Sequence, residues 1–261
     1  AEARTGPFPH LDLSHKPQGI TLYWANGSTP SMRVMMALHE KKLEYKAIRL
    51  KVMSKPIKQT RIPRFYAINP RGKTPTMIDD TNTPEKGDPL VMYESQAILL
   101  YLEQQYKTVS LVPSDPREAA IVYMRQAESD SFGMLIDPLE YLFEKKACYL
   151  QHIPEVIKAR KAIEHEMENL WNVYLEKTTF LGGEKMSIAD CAFFPLLRYL
   201  VRHGFPIGNY RFVKRYYKLI EERESAKHAN PIGWTRETKG KNLFRDLSKE
   251  LKEHEEMNKS D

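Results

Sequence analysis

The chain of 261 residues is 41% hydrophobic, so it can bury an ordinary core, and its length suits one large domain or two modest ones. Its 40 basic and 34 acidic residues give a formal net charge of +6 with the two signs interspersed, which does not indicate a nucleic-acid partner. No apolar run approaches the roughly 20 residues that cross a bilayer, and the polar first residues are unlike a signal peptide. We therefore expect a cytoplasmic protein without a membrane or nucleic-acid partner.

Cysteine usage narrows the chemistry further. The two cysteines, Cys148 and Cys191, lie far apart in segments with an apolar, helical pattern. This arrangement argues against a disulfide framework, against a zinc site and against a dithiol mechanism, which needs Cys-x-x-Cys. We therefore expect a reducing compartment and no bound metal.

The first part of the chain alternates strand and helix patterns. Residues 1–18 are predicted to be an extended arm, because prolines interrupt them and no periodicity is visible. Strands are predicted over 20–24, 43–50, 76–79 and 90–93. Helices are predicted over 31–42 and 96–106, a loop with at most a short helix over 52–66, and a hairpin insert over 81–89. Residues 19–107 are therefore predicted to form one α/β domain.

Strand patterns end at a predicted linker over 108–116, and residues 117–235 are predicted to form an all-helical domain. Its helices are predicted over 117–149, 154–177, 187–202 and 210–224. The first of them is expected to bend or break near Gly133 and Pro138. A charged tail over 236–261 contains a last predicted helix over 241–257.

Ser28 lies where the first predicted strand gives way to a helix that has Pro30 in its first turn. Its hydroxyl is therefore placed at a helix N-terminus, where unpaired N–H groups and the positive end of the helix dipole favour an anion such as a thiolate. Serine and threonine at this position are most often simple N-caps. The local pattern alone therefore favours capping over catalysis.

Two further polar motifs follow in the same predicted domain. Thr74-Pro75 comes after a glycine turn and directly before a strand, where an X-Pro bond in the cis form exposes the preceding backbone to a ligand. Glu94-Ser95 stands between a strand and a helix, where the Ser95 hydroxyl and N–H can cap the helix or bind a carboxylate. Taken singly, a trans turn proline and plain capping are the simpler interpretations.

The order strand-Ser-helix, Gly-x-Thr-Pro and Glu-Ser-helix resembles the thioredoxin-like N-terminal domain of the cytosolic glutathione transferases. The resemblance covers roughly residues 19–230 and implies that family's fold, a thioredoxin-like α/β domain followed by an all-α domain. It includes NPRGKTP at 69–75, YESQAI at 93–98 and LGGEKMSIAD at 181–190, the last of which looks like the family's buried capping box. The run STPSMRV at 28–34 is similar to the Ser-type branches theta, zeta and rho. The cysteine of omega-type members is absent, which argues against thiol-disulfide exchange.

The resemblance implies a homodimeric enzyme without a metal, with glutathione as co-substrate and a small, hydrophobic electrophile as second substrate. Ser28 matches the catalytic serine of the Ser-type branches. The remaining roles implied by matching motifs fall on Lys73, Thr74, Pro75, Glu94 and Ser95. Thr74 would pair its backbone with the cysteinyl unit of glutathione, Glu94 and Ser95 would hold the γ-glutamyl amine and carboxylate, and Lys73 would assist.

Alternatives stay open for the residue that donates a hydrogen bond to the thiolate and for the residues that contact the glycyl carboxylate of glutathione. Tyr23 is the rival thiol donor, because alpha, mu, pi and sigma members use a tyrosine at the end of the first strand. Thr29 and Ser31 lie farther around the turn. Lys58 and Gln59 are doubtful contacts for the glycyl carboxylate, since related classes often have a histidine where Thr60 falls.

The second-substrate site and the function itself also leave alternatives. Met124, Phe132, Leu135 and Trp234 are candidates for an apolar wall, although such residues at helical spacing more often belong to the core. The alternative function is a transferase-like binding or structural protein with little or no catalysis.

Overall fold

A computed structural model describes residues 19–52, 58–81, 88–145 and 153–234, together with the single residues 244 and 256. The predicted N-terminal arm, most of the 81–89 insert and nearly all of the charged tail lie outside the described residues. The helix predicted over 241–257 is therefore not tested.

A four-stranded sheet with the order β2-β1-β3-β4 forms the first half of the fold. Its strands are β1 (Ile20–Ala25), β2 (Tyr45–Leu50), β3 (Thr76–Asp79) and β4 (Leu90–Tyr93). The strand β1 runs parallel to β2 and antiparallel to β3, which in turn runs antiparallel to β4. This mixed sheet confirms the predicted β-α-β start followed by a hairpin.

Three helices accompany the sheet: α1 (Thr29–Glu40), α2 (Pro63–Tyr66) and α3 (Ser95–Gln105), with a short 3₁₀ turn over Gln59–Arg61 before α2. Helix α1 buries every residue from Ser31 to Leu38. It contacts α3 on its own domain and α7 (Ile188–Arg202) and α9 (Glu224–Ala229) of the helical half. Burial on all sides follows from this central position.

The second half of the fold is helical, as predicted. Besides α7 and α9 it contains α4 (Pro116–Lys145), α5 (Ile153–Glu166), α6 (Asn172–Lys177) and α8 (Arg211–Glu221). A π-helical turn over Met167–Trp171 joins α5 to α6, where one helix was predicted. The short helix α9 was not predicted, because its sequence ESAKHA has no apolar periodicity.

Helix α4 was expected to bend or break near Gly133 and Pro138. It is not interrupted at either residue, so of these two alternatives the break is wrong. Proline in a helix leaves the carbonyl four residues earlier without its partner. That residue is Met134, which is 65% exposed, and Pro138 is exposed as well. Water can therefore bond the unpaired carbonyl, and the helix continues.

The predicted capping box at the start of α7 is present. Asp190 accepts hydrogen bonds from Ser187 N (2.7 Å), Ser187 Oγ (2.8 Å) and Leu181 N (2.9 Å). Complete burial nevertheless raises the pKa of Asp190 to about 6, because desolvation outweighs these donors. The box fixes the first turn of the helix that packs against α1.

A buried ion pair ties the end of α1 to the end of α3 and to the linker. Lys41 Nζ lies 2.6 Å from Glu103 Oε1 and donates to Val109 O at 2.6 Å. Glu103 also accepts from Leu111 N at 3.0 Å and from Ser110 Oγ at 3.1 Å. The side chains of Lys41 and Glu103 are 1% and 7% exposed. This cluster therefore fixes how the linker leaves the first domain.

Candidate active site

Strand register brings the three predicted glutathione motifs to one end of the sheet. Tyr23 of β1 is paired with Thr76 of β3, and Thr76 is paired with Tyr93 of β4. The segments that leave the sheet at this end hold Ser28, Thr74-Pro75 and Glu94-Ser95. The sequence motifs, up to 67 residues apart along the chain, therefore share one edge of the domain.

Ser28 is the N-cap of α1 and is half-buried. Its Oγ accepts the Ser31 N–H at 3.3 Å and the Ser31 hydroxyl at 3.0 Å. Both lone pairs of the Ser28 oxygen are then occupied, and no described residue accepts its own hydroxyl hydrogen. The hydroxyl of Ser28 is therefore set up as a donor, and capping and donation are compatible.

The Thr74-Pro75 peptide bond is cis. Asn69 holds the preceding turn by donating from Nδ2 to Lys73 O at 2.9 Å and to Thr76 Oγ1 at 2.8 Å. No described residue hydrogen-bonds the backbone N–H or C=O of Thr74, which is half-buried. Both backbone groups are therefore left without a hydrogen-bond partner among the described residues, and the Lys73 side chain is exposed.

Glu94 has φ +68° and ψ 107°, a conformation that is strained in residues with a Cβ and costs on the order of 1–3 kcal/mol. Its side chain is exposed, and the next residue, Ser95, is buried at the start of α3. Such strain concentrates where a backbone is held in place for a ligand. The strain at Glu94 is therefore more than a simple helix cap requires.

Sequence reasoning missed Arg33, a buried cation beside Ser95. Its guanidinium donates to Asp130 Oδ1 at 2.8 Å and to Ala192 O at 2.9 Å, and lies 3.4 Å from Ser95 Oγ. Burial lowers the pKa of Arg33, and Asp130 opposes this shift. The Asp130 side chain is 61% exposed, so its charge is partly solvated. An arginine inside the apolar run of α1 was the available signal.

Tyr23 lies on the face of β1 that is opposite Leu22. It is 4% exposed in a small core with Leu50, Phe65 and Ile78, and its ring meets Phe65 edge-on with centroids 6.1 Å apart. The main core instead holds Leu22 from the opposite face of the strand. The Tyr23 ring is therefore part of this small core.

Two other weak candidates also prove to be interior residues. Gln59 is 1% exposed, and its Oε1 accepts the Lys51 N–H at 2.6 Å, whereas Lys58 is exposed. Phe132 is fully buried and packs on Trp171 and Phe193 with centroids 5.7 and 5.6 Å away. Phe132 is therefore core and not the wall of a substrate site.

The C-terminal segment reaches back to the turn before Ser28. Asn26 Nδ2 donates to Ile232 O at 3.2 Å, and Ile232 N donates to Asn26 Oδ1 at 2.7 Å. The Trp234 ring lies over Gly27, 3.8 Å from where a Cβ of that residue would stand. Of the four wall candidates, Trp234 is the one that this geometry places beside the Ser28 turn.

Among the described residues, the other features do not indicate a different glutathione site. A cleft of about 1150 Å³ lies between the end of α3, the linker, α4 and the loop before α7, and none of the predicted glutathione residues lines it. Within the described ranges no three His, Cys, Asp or Glu side chains form a group that could hold a metal ion. No helix described here has the length and apolar character needed to span a membrane.

Comparison with known proteins places the chain in a family. The family description "Glutathione S-transferase, N-terminal domain" matches residues 22–110, and "Glutathione S-transferase, C-terminal domain" matches residues 92–224. Glutathione S-transferase A of Pleuronectes platessa is 31% identical over 238 residues, which cover 87% of this chain and 98% of that protein. The chain therefore belongs to the glutathione S-transferase family.

Further relatives agree on the fold. The Escherichia coli disulfide-bond oxidoreductase YfcG is 30% identical, over 80% of this chain and 94% of its own length. A glutathione S-transferase from the Antarctic clam Laternula elliptica has a TM-score of 0.71 at 27% identity, covering 88% of this chain and all of that one. A Pseudomonas fluorescens family member solved with two glutathione bound has a TM-score of 0.71 at 21% identity, over 82% and 92% of the two chains.

Proposed function

We propose that this glutathione S-transferase is a Ser-type enzyme that conjugates glutathione to small, mostly hydrophobic electrophiles, with Ser28 as the thiolate's hydrogen-bond donor. The observation behind this proposal is the Ser28 hydroxyl, which accepts twice from Ser31 and donates to no described residue. It stands at the N-terminus of α1, beside the two motifs expected to bind glutathione. A thiolate there would complete its hydrogen bonding.

The free energy needed to lower the pKa of the glutathione thiol matches what one hydrogen bond and a helix N-terminus can supply. A thiol with a pKa near 8.5 is about 3% thiolate at pH 7, and lowering that pKa by about two units makes it roughly three-quarters thiolate. This shift needs about 2.7 kcal/mol of preference for the thiolate. One charge-assisted hydrogen bond supplies roughly 1.5–3 kcal/mol, and the helix N-terminus adds roughly 0.3–1 kcal/mol.

The chemical step is a substitution or an addition at carbon. The sulfur lone pair forms a new C–S bond, and in a substitution the leaving group departs with the electron pair of the bond that breaks. In an addition the π electron pair of the acceptor moves to the neighbouring atom, which takes a proton from solvent. The thiol proton has already passed to solvent, and neither step needs an oxidant or reductant, because one electron pair forms the new bond and one is displaced. The chain has no cysteine in its β1-α1 turn. We therefore propose conjugation here, in contrast to the activity named for the E. coli relative.

The remaining contacts would hold the γ-glutamyl and cysteinyl parts of glutathione. Ser95 would donate to the γ-glutamyl carboxylate, and the buried Arg33, 3.4 Å from Ser95 Oγ, would add a positive charge behind it. Glu94 would take the amine, and Thr74 would pair its open backbone with the cysteinyl unit. Lys73, exposed next to Thr74, would assist as a cation.

The strained turn at Glu94 allows a test in which stability and binding respond differently. Glu94→Gly removes the Cβ that makes φ +68° unfavourable, so thermal stability is expected to hold or rise. The same change removes the carboxylate, and glutathione affinity is expected to fall about tenfold, as for loss of one charge-assisted bond. Thermal melting and isothermal titration with glutathione measure the two effects.

Glu94→Gln is the matched control, because it keeps the Cβ and the side-chain shape but removes the charge. It is expected to lose glutathione affinity like Glu94→Gly without any gain in stability. If Glu94→Gln binds glutathione as tightly as the wild type, Glu94 does not hold the amine.

We also propose that the enzyme is a homodimer through the face formed by β4, α3 and α4. Strand β4 is an edge of the sheet, and the exposed apolar side chains of these three elements include Leu90 (45%), Val91 (37%), Leu100 (39%), Met124 (47%) and Met134 (65%). Apolar side chains exposed together beside an unpaired sheet edge favour association with a second copy. Leu100→Glu is therefore expected to yield monomers in sedimentation velocity runs.

Val173→Glu on α6 is the matched control for the dimer, since Val173 is also 39% exposed. This variant is expected to sediment as the wild type does. A wild type that is monomeric at micromolar concentration, or a dimer that survives Leu100→Glu, would show that this face is not the interface.

A further inference from the structure

The Arg202 side chain contacts the Trp234 indole, and this indole lies against the turn that precedes Ser28. Its guanidinium carbon is 4.9 Å from the centroid of the Trp234 ring, and the same ring lies against Gly27. The reciprocal hydrogen bonds between Asn26 and Ile232 fix this part of the C-terminal segment to the turn. An aromatic ring and a cation therefore stand together at the turn that precedes Ser28.

The positive charge of Arg202 is not neutralised by a described residue. No described carboxylate lies within salt-bridge distance of it, whereas Arg198, one turn earlier on α7, already has Glu221 and Asn230 as partners. Partial burial and the charge of Arg198 lower the pKa of Arg202, and the pKa of the neighbouring His203 is lowered to about 4. His203 is therefore neutral near pH 7, and Arg202 carries the positive charge at this position.

We infer that the second-substrate site of this enzyme prefers planar aromatic electrophiles that carry a carboxylate or sulfonate, with Trp234 contacting the ring and Arg202 attracting the anion. Aromatic rings stack favourably on an indole, and an arginine fork binds a carboxylate or sulfonate. This inference rests on the proposed function, because it assigns the second substrate of the same site. It gives Arg202 a specificity-determining role and leaves thiolate formation to Ser28.

Two aryl chlorides that differ by one charge are the substrates that test the inference. 1-Chloro-2,4-dinitrobenzene is neutral, whereas 4-chloro-3,5-dinitrobenzoate presents a carboxylate on the same kind of ring, and in both the sulfur replaces chloride. Arg202→Gln is expected to lower kcat/KM for the benzoate about five- to tenfold and to change kcat/KM for the neutral chloride less than twofold. Lys218→Gln removes the same charge from the exposed face of α8 and is expected to change neither.

Equal losses for both chlorides in Arg202→Gln would overturn the inference, since they would show that Arg202 only supports the fold of the site. Unchanged kinetics with both would overturn it as well. Trp234→Ala is expected to lower the conjugation of both aromatic substrates by a larger factor than the conjugation of iodomethane, which has no ring.

Binding separates this inference from the proposed function. Unreactive 3,5-dinitrobenzoate is expected to quench the tryptophan fluorescence of the wild type with five- to tenfold higher affinity than that of Arg202→Gln. This holds whether or not the enzyme conjugates either chloride. Absent conjugation with normal dinitrobenzoate binding would contradict the proposed function alone, and equal binding by the two proteins would contradict the role of Arg202 alone.

Discussion

Ser28→Ala is expected to lower kcat/KM for 1-chloro-2,4-dinitrobenzene by about ten- to a hundredfold at pH 6.5, while the KM for glutathione changes little. The expected loss equals one charge-assisted hydrogen bond of roughly 1.5–3 kcal/mol, at about 1.4 kcal/mol for each factor of ten. The donor acts on the sulfur, whereas the contacts expected to bind glutathione come from other residues. At pH 9.5, where the free thiol is ionised in any case, the loss is expected to shrink to a few-fold.

Ser31→Ala and Tyr23→Phe are the controls for this result. Ser31→Ala leaves the donor in place but removes the hydroxyl that bonds Ser28 Oγ at 3.0 Å, so a smaller, few-fold loss is expected. Tyr23→Phe is expected to keep its activity, because Tyr23 is packed against Phe65 in the small core. An active Ser28→Ala together with an inactive Tyr23→Phe would transfer the donor role to Tyr23.

Lys41→Met is expected to reduce the free energy of unfolding by about 3–5 kcal/mol, a large effect for a single substitution. The substitution keeps the length of the side chain but leaves the carboxylate of Glu103, 7% exposed, without its cation. A buried unpaired charge is far more costly than a missing surface ion pair. Denaturation in urea with circular dichroism detection measures the change.

Two variants check the cause of this destabilisation. Lys46→Met removes a charge from an exposed position on β2 and is expected to stay within about 0.5 kcal/mol of the wild type. Adding Glu103→Gln to Lys41→Met removes the unpaired charge yet keeps an acceptor for Leu111 N, so part of the stability is expected to return. A single Lys41→Met variant within about 1 kcal/mol of the wild type would show that the pair is not important for stability.

Much of the fold was predictable because it depends on local patterns. The strands Thr76–Asp79 and Leu90–Tyr93 begin and end where they were predicted, since each is a short apolar run and a polar, proline-bearing insert separates them. The capping box before α7 was also readable, because Ser187 and Asp190 have a fixed spacing. The uninterrupted helix at Pro138 was not, because it depends on which side of α4 faces solvent.

The residues of the candidate site also divide into those that local sequence patterns predict and those that depend on distant contacts. Ser28, Thr74-Pro75 and Glu94-Ser95 stand next to strand ends, so their positions follow from the order of elements along the chain. Arg33 was missed because its partners Asp130 and Ala192 are about 100 and 160 residues away in sequence. Phe132 was a wall candidate only because helical spacing does not show which apolar face meets the core.

The most direct test of the central claim is the pKa of the glutathione thiol when it is bound to the enzyme. Thiolate absorbance near 240 nm, followed from pH 5 to 10 with saturating enzyme, gives that pKa for the wild type and for Ser28→Ala. We predict a bound-thiol pKa about two units below 8.5 for the wild type and a return most of the way toward 8.5 for Ser28→Ala. Equal pKa values in the two proteins would show that Ser28 is not the donor that stabilises the thiolate.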